Sequence, residues 1–214
     1  MSPVTHLFAS WLVATGTTRN SRDCRLAALA GVLPDADGLG LVVDVIRGTF
    51  ITGGPLLYQR YHHFLLHGLA GGLLLAGLLA LFARDRLRVA VVVLLVFHLH
   101  LLCDFAGSRG PAPEDVWPVF YCGPFSKDPM WLWRGQWRLD GWQNRGVSVA
   151  LFLISLGWAV RRGHSPLGVF HQRADAVFVG VLRRWWATWR GRFWRSCVGQ
   201  AAVVWRLRRG PPCW

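Results

Sequence analysis

The sequence predicts an all-α protein, an integral membrane helical bundle with three firm spans and two shorter N-terminal helices. Three observations carry this. Hydrophobic residues make up 53% of the 214 and mean hydropathy is +0.31, above the balance of a soluble globular chain. Apolar runs occupy 65–83, 88–106 and 147–160; the first two suit a hydrocarbon core at 1.5 Å per residue, and the third is shorter and ends at Arg161 and Arg162. Charge is concentrated at the C-terminal end. Residues 1–160 hold 13 Lys/Arg against 10 Asp/Glu, net +3, whereas residues 161–214 hold 11 Arg against Asp175 alone, net +10.

Taken in chain order, 4–16 is an apolar helix carrying His6, and the lack of a basic n-region marks it as a segment kept in the mature chain. A loop with Arg19, Arg22 and Arg25 leads to a second helix over 25–34. Both helices have the length of re-entrant or half-span elements. "LPDADG" follows, with Asp35 and Asp37, and "YHHFLLH" brings His62, His63 and His67 to the head of the first long span. "RDRLR" at 84–88 is a tight turn, cytoplasmic by the positive-inside tendency. The next span ends in "HLHLLCD", and 107–146, rich in Gly, Pro and Trp without a period, reads as a long irregular loop over the opposite face. In and beside it Trp117, Trp131, Trp133, Trp137 and Trp142 suit an aromatic belt at the headgroups. The third span delivers a basic, Trp-rich tail, "RRWWATWRGRFWRSC", to the cytoplasmic side, where it suits anionic lipid better than nucleic acid. The chain thus divides into a membrane-embedded domain, 1–185, and a tail, 186–214.

Several classes are excluded. Five scattered cysteines without C-x-x-C give neither a disulfide framework nor a thiolate zinc site. G-x-S-x-G, G-x-G-x-x-G and a P-loop are absent, as is any recognised nucleic-acid-binding motif. What stands out is that the predicted topology gathers imidazoles and carboxylates at one end of the bundle and the arginine turns at the other. Ionisable groups in membrane segments are costly and mark sites. His100 and Asp104 are spaced i, i+4 and share a helix face, while His98 lies off it and is read as supporting the ligands from behind or as structural. A buried His–Asp pair with no ion is the alternative reading of that spacing. Asp44, Asp85 and His164 read as flanking charges. Mixed His and Asp without Cys suits Zn²⁺, Mn²⁺ or Fe and leaves positions open for water.

The order of His6, "LPDAD", H-x-x-x-x-H, H-x-x-x-D, "G" and "WP" resembles the YdjM-like family of bacterial inner-membrane metal-dependent hydrolases, over roughly residues 1–185. That family is grouped with the all-helical zinc phospholipases C and single-strand nucleases. The resemblance implies a divalent metal, zinc before Mn or Fe, held by His6, Asp35 or Asp37, His62, His67, His100 and Asp104. It implies hydrolysis of a small-molecule or lipid phosphate ester through a metal-activated water at a bacterial inner membrane, with the bilayer as partner and no specific nucleic acid. Asp35 and Asp37 are then candidate catalytic carboxylates, and Arg109, in "SRGP", either holds a phosphate oxygen bidentately or pairs with a lipid headgroup at the interface. The chain departs from the family's "H-R-G-x-T-H-S" in reading "HHFLLHG", with His63 in place of arginine and Leu66 in place of threonine. The rival expectation is a non-catalytic membrane protein, a metal carrier or a regulatory anchor. A carrier should hold its ligands near the membrane midplane on broken helices, whereas these fall near span ends.

Overall fold

The structure, a computed structural model, describes residues 1–48 and 56–208. Its helices are α1 (Pro3–Thr17), α2 (Ser21–Leu29), α3 (Gly40–Ile46), α4 (Leu57–Tyr61), α5 (Leu69–Leu81), α6 (Arg86–Gly107), α7 (Trp142–Arg162) and α8 (Gln172–Arg208). Single 3₁₀ segments occupy Leu33–Leu39 and Pro166–Val169. Within 107–146, β1 (Val119–Phe120) and β2 (Met130–Trp131) form one short antiparallel pair, and the rest of that stretch is irregular. The described chain is therefore mainly helical. It divides into two compact units, Met1–Ser155 and Leu156–Trp214.

Helix α6 is the axis of the first unit, packed against α1, α2 and α5. Its sequence is apolar on every side, so polarity does not choose the inward face; packing does. Val89, Val93, Val96, Phe97, His100 and Asp104 recur at three and four residues and are buried, while Leu87, Val91, Leu95 and Leu102 are each more than half exposed. The period carries both ligand-type residues inward and leaves His98 outside, where its Nδ1 donates to the Leu94 carbonyl and its Nε2 accepts from the Tyr121 hydroxyl at 3.1 Å. The close approach of α5 needs Gly72, since a Cβ there would strike the Phe97 ring at 2.7 Å.

The chain enters α1 through a Ser2 cap and Pro3, and α2 through Asn20, whose side chain accepts from the Asp23 N–H. Asp23 in turn accepts from the N–H groups of Arg84 and Asp85 at 2.8 and 3.0 Å, which fixes the tight α5–α6 turn. Asp44 and Asp85 are not mere flanking charges. Asp44 is buried and accepts from Leu57 and Tyr58 N–H, capping α4, and Asp85 caps α6 through Arg88 N–H.

Of the three expected spans, one meets the length and hydropathy needed by itself among the described residues: α6, with 22 residues and mean hydropathy 2.3. The run 65–83 yields only the 13 residues of α5, roughly 20 Å of helix. Its first residues are held outside the helix because the Leu66 N–H donates to Asp37 Oδ2 and Gly68 abuts Gly123. The third run becomes the 21-residue α7, whose hydropathy is lowered by Gln143, Asn144, Arg145, Arg161 and Arg162. Ahead of them, α2 and the Leu33–Ile46 stretch pass the test together as one span broken by a 43° bend, with Asp35 and Asp37 just past the break.

In the second unit, Asp175 accepts from the Ser165 N–H at 2.9 Å and from its hydroxyl, closing the turn ahead of α8. Helix α8 runs unbroken through residue 186, where the sequence suggests the start of a tail.

Candidate metal centre

Four segments deliver the cluster: the first turn of α1 brings His6, the 3₁₀ segment after α2 brings Asp35 and Asp37, the loop before α5 brings His62, His63 and His67, and the last turns of α6 bring His100 and Asp104. His6, His67, His100 and Asp104 are each at most 3% exposed.

The hydrogen bonds fix the tautomers. His100 Nδ1 lies 2.9 Å from the Gly31 carbonyl oxygen, and His67 Nδ1 lies 2.9 Å from Asp37 Oδ2, so each ring uses its Nδ1–H as a donor. In the neutral rings both Nε2 atoms then carry lone pairs, and they face each other at 3.1 Å. Around them stand Asp104 Oδ2, 3.0 Å from His100 Nε2 and 3.6 Å from His67 Nε2, and Asp35 Oδ1, 3.7 and 3.8 Å from the same two atoms. Neither Asp104 Oδ2 nor Asp35 Oδ2 has a hydrogen-bond partner, because the short approach to His100 lacks hydrogen-bond alignment, and His6 Nδ1 is equally unpartnered. With both rings neutral, two lone pairs in contact beside the unpartnered Asp104 Oδ2 are costly unless a positive charge, a proton on His67 or a bound cation, lies between them.

These residues fit a divalent cation. Bonds of about 2.0–2.2 Å to nitrogen and oxygen put tetrahedral ligand atoms roughly 3.3–3.5 Å apart, which the separations above bracket. Two groups have ligand atoms all within 4.8 Å of one another: His6, Asp35, His100 and Asp104, and His63, His67 and Asp104. Asp104 belongs to both. Its Oδ1 is also met by His6 Nε2 at 3.1 Å, by the Ser108 hydroxyl at 3.0 Å and by the α-amino group of Met1.

The two aspartates of "PDAD" have different surroundings. Asp35 reaches the ligand atoms, whereas Asp37 sits behind them, its Oδ1 2.8 Å from His62 Nδ1 and its Oδ2 on His67. That carboxylate–histidine arrangement orients a ligating ring and raises its basicity. His62 falls in neither ligand group; it lies between Asp37 and the rings of Tyr58, His63 and Trp117. Burial opposes a charge on His67, but the carboxylates of Asp104, Asp35 and Asp37 outweigh it and hold its pKa well above the ordinary histidine range. The same negative field favours a cation. His63 is shifted the other way, well below that range, by burial and by His67 beside it.

By its motif, His63 stands in place of the family's arginine and has no ligand role. It is buried, stacked on His67 with ring centroids 4.4 Å apart, and held at φ +64°. Also missed was Gln136, buried in the 107–146 loop, which accepts from the Trp117 N–H and donates to its carbonyl at 3.0 and 2.7 Å. This clamp sets the Trp117 ring edge-on to His63, 4.7 Å between centroids, so Trp117 lines the site. A cavity of about 560 Å³ opens beside Asp35, His62 and His63. Ser108 and Gly110 line it on either side of Arg109, whose Nε is buried without a hydrogen-bond partner.

Gly31 is a further hidden support. A Cβ there would overlap the Ser10 side chain and come within 3.1 Å of the His6 carbonyl oxygen. Gly31→Ala is therefore expected to push the Gly31 carbonyl away from His100 and weaken metal affinity about 10–100-fold, the usual effect of losing a partner behind a ligand. Metal-competition titration measures this, and adding Ser10→Gly should recover most of the loss.

A family model described as YdjM inner membrane protein matches residues 1–182. No curated protein and no solved structure matches the chain.

Proposed function

The chain belongs to the YdjM inner membrane protein family, and from that premise we propose that it is a membrane-bound, metal-dependent hydrolase of phosphate esters or phosphodiesters. The observation that carries the reading is the pair of facing Nε2 atoms of His67 and His100, with the unpartnered Asp104 Oδ2 and the Asp35 Oδ1 around them, at the edge of a substrate-sized cavity. An all-nitrogen-and-oxygen donor set without thiolate suits a catalytic zinc better than a structural one, with Mn or Fe as the next fits. A divalent cation held there supplies Lewis acidity, acidifying water and polarising a phosphoryl oxygen.

The chain's own groups supply the remainder. Asp35 lines the cavity, which suits its carboxylate to take a proton from the attacking water. Asp37 keeps His67, and beside it His62, in fixed orientation. Arg109 is the nearest arginine in sequence to Asp104 and is the candidate phosphate holder. In this reading α6 crosses the inner membrane beside the short α5, which is accommodated by local thinning of the bilayer.

Metal analysis of the purified full chain tests the proposal. Stoichiometric zinc, hydrolysis of bis(p-nitrophenyl) phosphate lost on chelation, and recovery on adding Zn²⁺ are expected; metal-free protein as purified from zinc-replete cells, or hydrolysis indifferent to chelator, would overturn it. Asp37→Asn should keep the shape while lowering metal affinity about 10–100-fold.

A further inference from the structure

The two ligand groups differ in what they leave open. His6, Asp35, His100 and Asp104 make a set of four, enough to complete a tetrahedral ion, whereas His63, His67 and Asp104 make a set of three with one place to spare. Of these residues only Asp35 and His63 line the cavity, so His63 joins the second group to it. His62 and His67 each spend a ring nitrogen on Asp37; His63, although 8% exposed, spends neither on a described residue, which leaves its lone pair to cavity water or to an ion. Packing orients the ring. It stacks on His67 with centroids 4.4 Å apart and meets the Trp117 edge at 4.7 Å, on a backbone at φ +64° that L side chains seldom adopt. Trp117 is gripped by Gln136 through both its N–H and its carbonyl. The next residue is tied to the end of α6, the Trp137 N–H donating to the Ala106 carbonyl at 2.8 Å. This clamp refers His63 to the same helix end that carries Asp104.

We propose that His63 builds a second cation site with His67 and Asp104, its fourth position open to the cavity, and that Gln136, acting through Trp117, is the positioning residue that holds His63 in place. The inference rests on the metal-centre reading above and adds a ligand to it. His67 offers Nε2, since its Nδ1 is spent on Asp37, and Asp104 Oδ2 lies 3.6 Å from that atom. All three ligand atoms lie within 4.8 Å of one another, a spread that small side-chain rotations close to the roughly 3.3–3.5 Å between two ligand atoms on one ion. With three ligands against four, and one carboxylate against two, the second site is the weaker and fills last.

The test titrates the full chain, stripped of metal in detergent, with Co²⁺ as the probe, counting bound ions and following visible absorption. Wild type should bind two equivalents, the second more weakly. His63→Gly, chosen because glycine accepts a positive φ freely, should bind one equivalent at the affinity of the wild-type first, which also reports that the variant is folded. Imidazole added to the solution should enter through the cavity and restore the second equivalent; a merely structural His63 predicts no such rescue. Gln136→Leu keeps every ligand and should weaken the second equivalent about 10–100-fold while sparing the first. One equivalent in wild type, or two in His63→Gly without imidazole, overturns the second site and leaves the hydrolase standing. Two equivalents, the second lost in His63→Gly, with no hydrolysis of bis(p-nitrophenyl) phosphate keeps the site and overturns the hydrolase. No bound Co²⁺ overturns both.

Discussion

Asp104→Asn is expected to strip the bound metal and lower phosphodiester hydrolysis on the order of 10²–10³-fold, the scale of losing a preorganised electrostatic stabiliser, while the bundle stays folded. Asp104 is the one residue common to both ligand groups, so its charge serves every position a cation could take there. An amide of the same shape can still accept from Ser108 and His6 through its oxygen, which spares the packing and removes the anion. The competing account, a buried His–Asp pair that only holds α1 to α6, predicts the opposite pattern: an unpaired buried partner costs about 3–5 kcal/mol, so melting temperature falls and no metal is there to lose. Metal content, melting temperature and rate, measured on Asp104→Asn and His100→Ala, separate the two. His98→Ala, on the outer face of α6, should change none of the three. Full metal and full activity in Asp104→Asn would remove this pair from the chemistry.

What was legible in the sequence was periodicity. The i, i+4 spacing of His100 and Asp104 on a long apolar run is a local rule, and α6 obeys it over its whole length. The convergence of His6, Asp35 and His67 on that pair was legible only through the order of motifs, because no local rule joins residues a hundred positions apart. Hydropathy could not see that Asp37 draws the Leu66 N–H and the His67 ring out of helical order, which is why a run of 19 apolar residues gives a helix of 13. Nor could composition distinguish Asp35 from Asp37: two carboxylates two residues apart face the same cluster, one toward the ligand atoms and one behind them. His63 was hidden for a different reason. Its left-handed backbone, which costs a non-glycine residue about 1–2 kcal/mol, has no sequence signature in "YHHFLL". Carboxylates that bind backbone N–H groups, such as Asp44, look like any charge until the loop they close is seen.

The same blindness conceals the largest stability effect, at the far end of α6. Asp23→Ala is expected to cost about 1–3 kcal/mol, since the buried carboxylate accepts from the partly buried N–H groups of both Arg84 and Asp85 and losing such a partner costs about 1–3 kcal/mol. A third donor, Asn20 Nδ2 at 2.8 Å, loses its partner as well. The turn these groups form lies between α5 and α6, the pair that closes over Gly72 and Phe97, so loosening it frees the helix that carries His100 and Asp104. Position 85 and position 104 are separated by roughly 28 Å along the helix axis, which isolates the ligand cluster from the change in any molecule that still folds. Unfolding in detergent should therefore show a large loss, with metal per folded molecule unchanged, and Asp23→Asn should recover part of the stability because its amide oxygen can still accept one of the two N–H groups. A loss below about 1 kcal/mol in Asp23→Ala would mean that water satisfies the turn and that the α5–α6 hairpin is held by its apolar contacts alone.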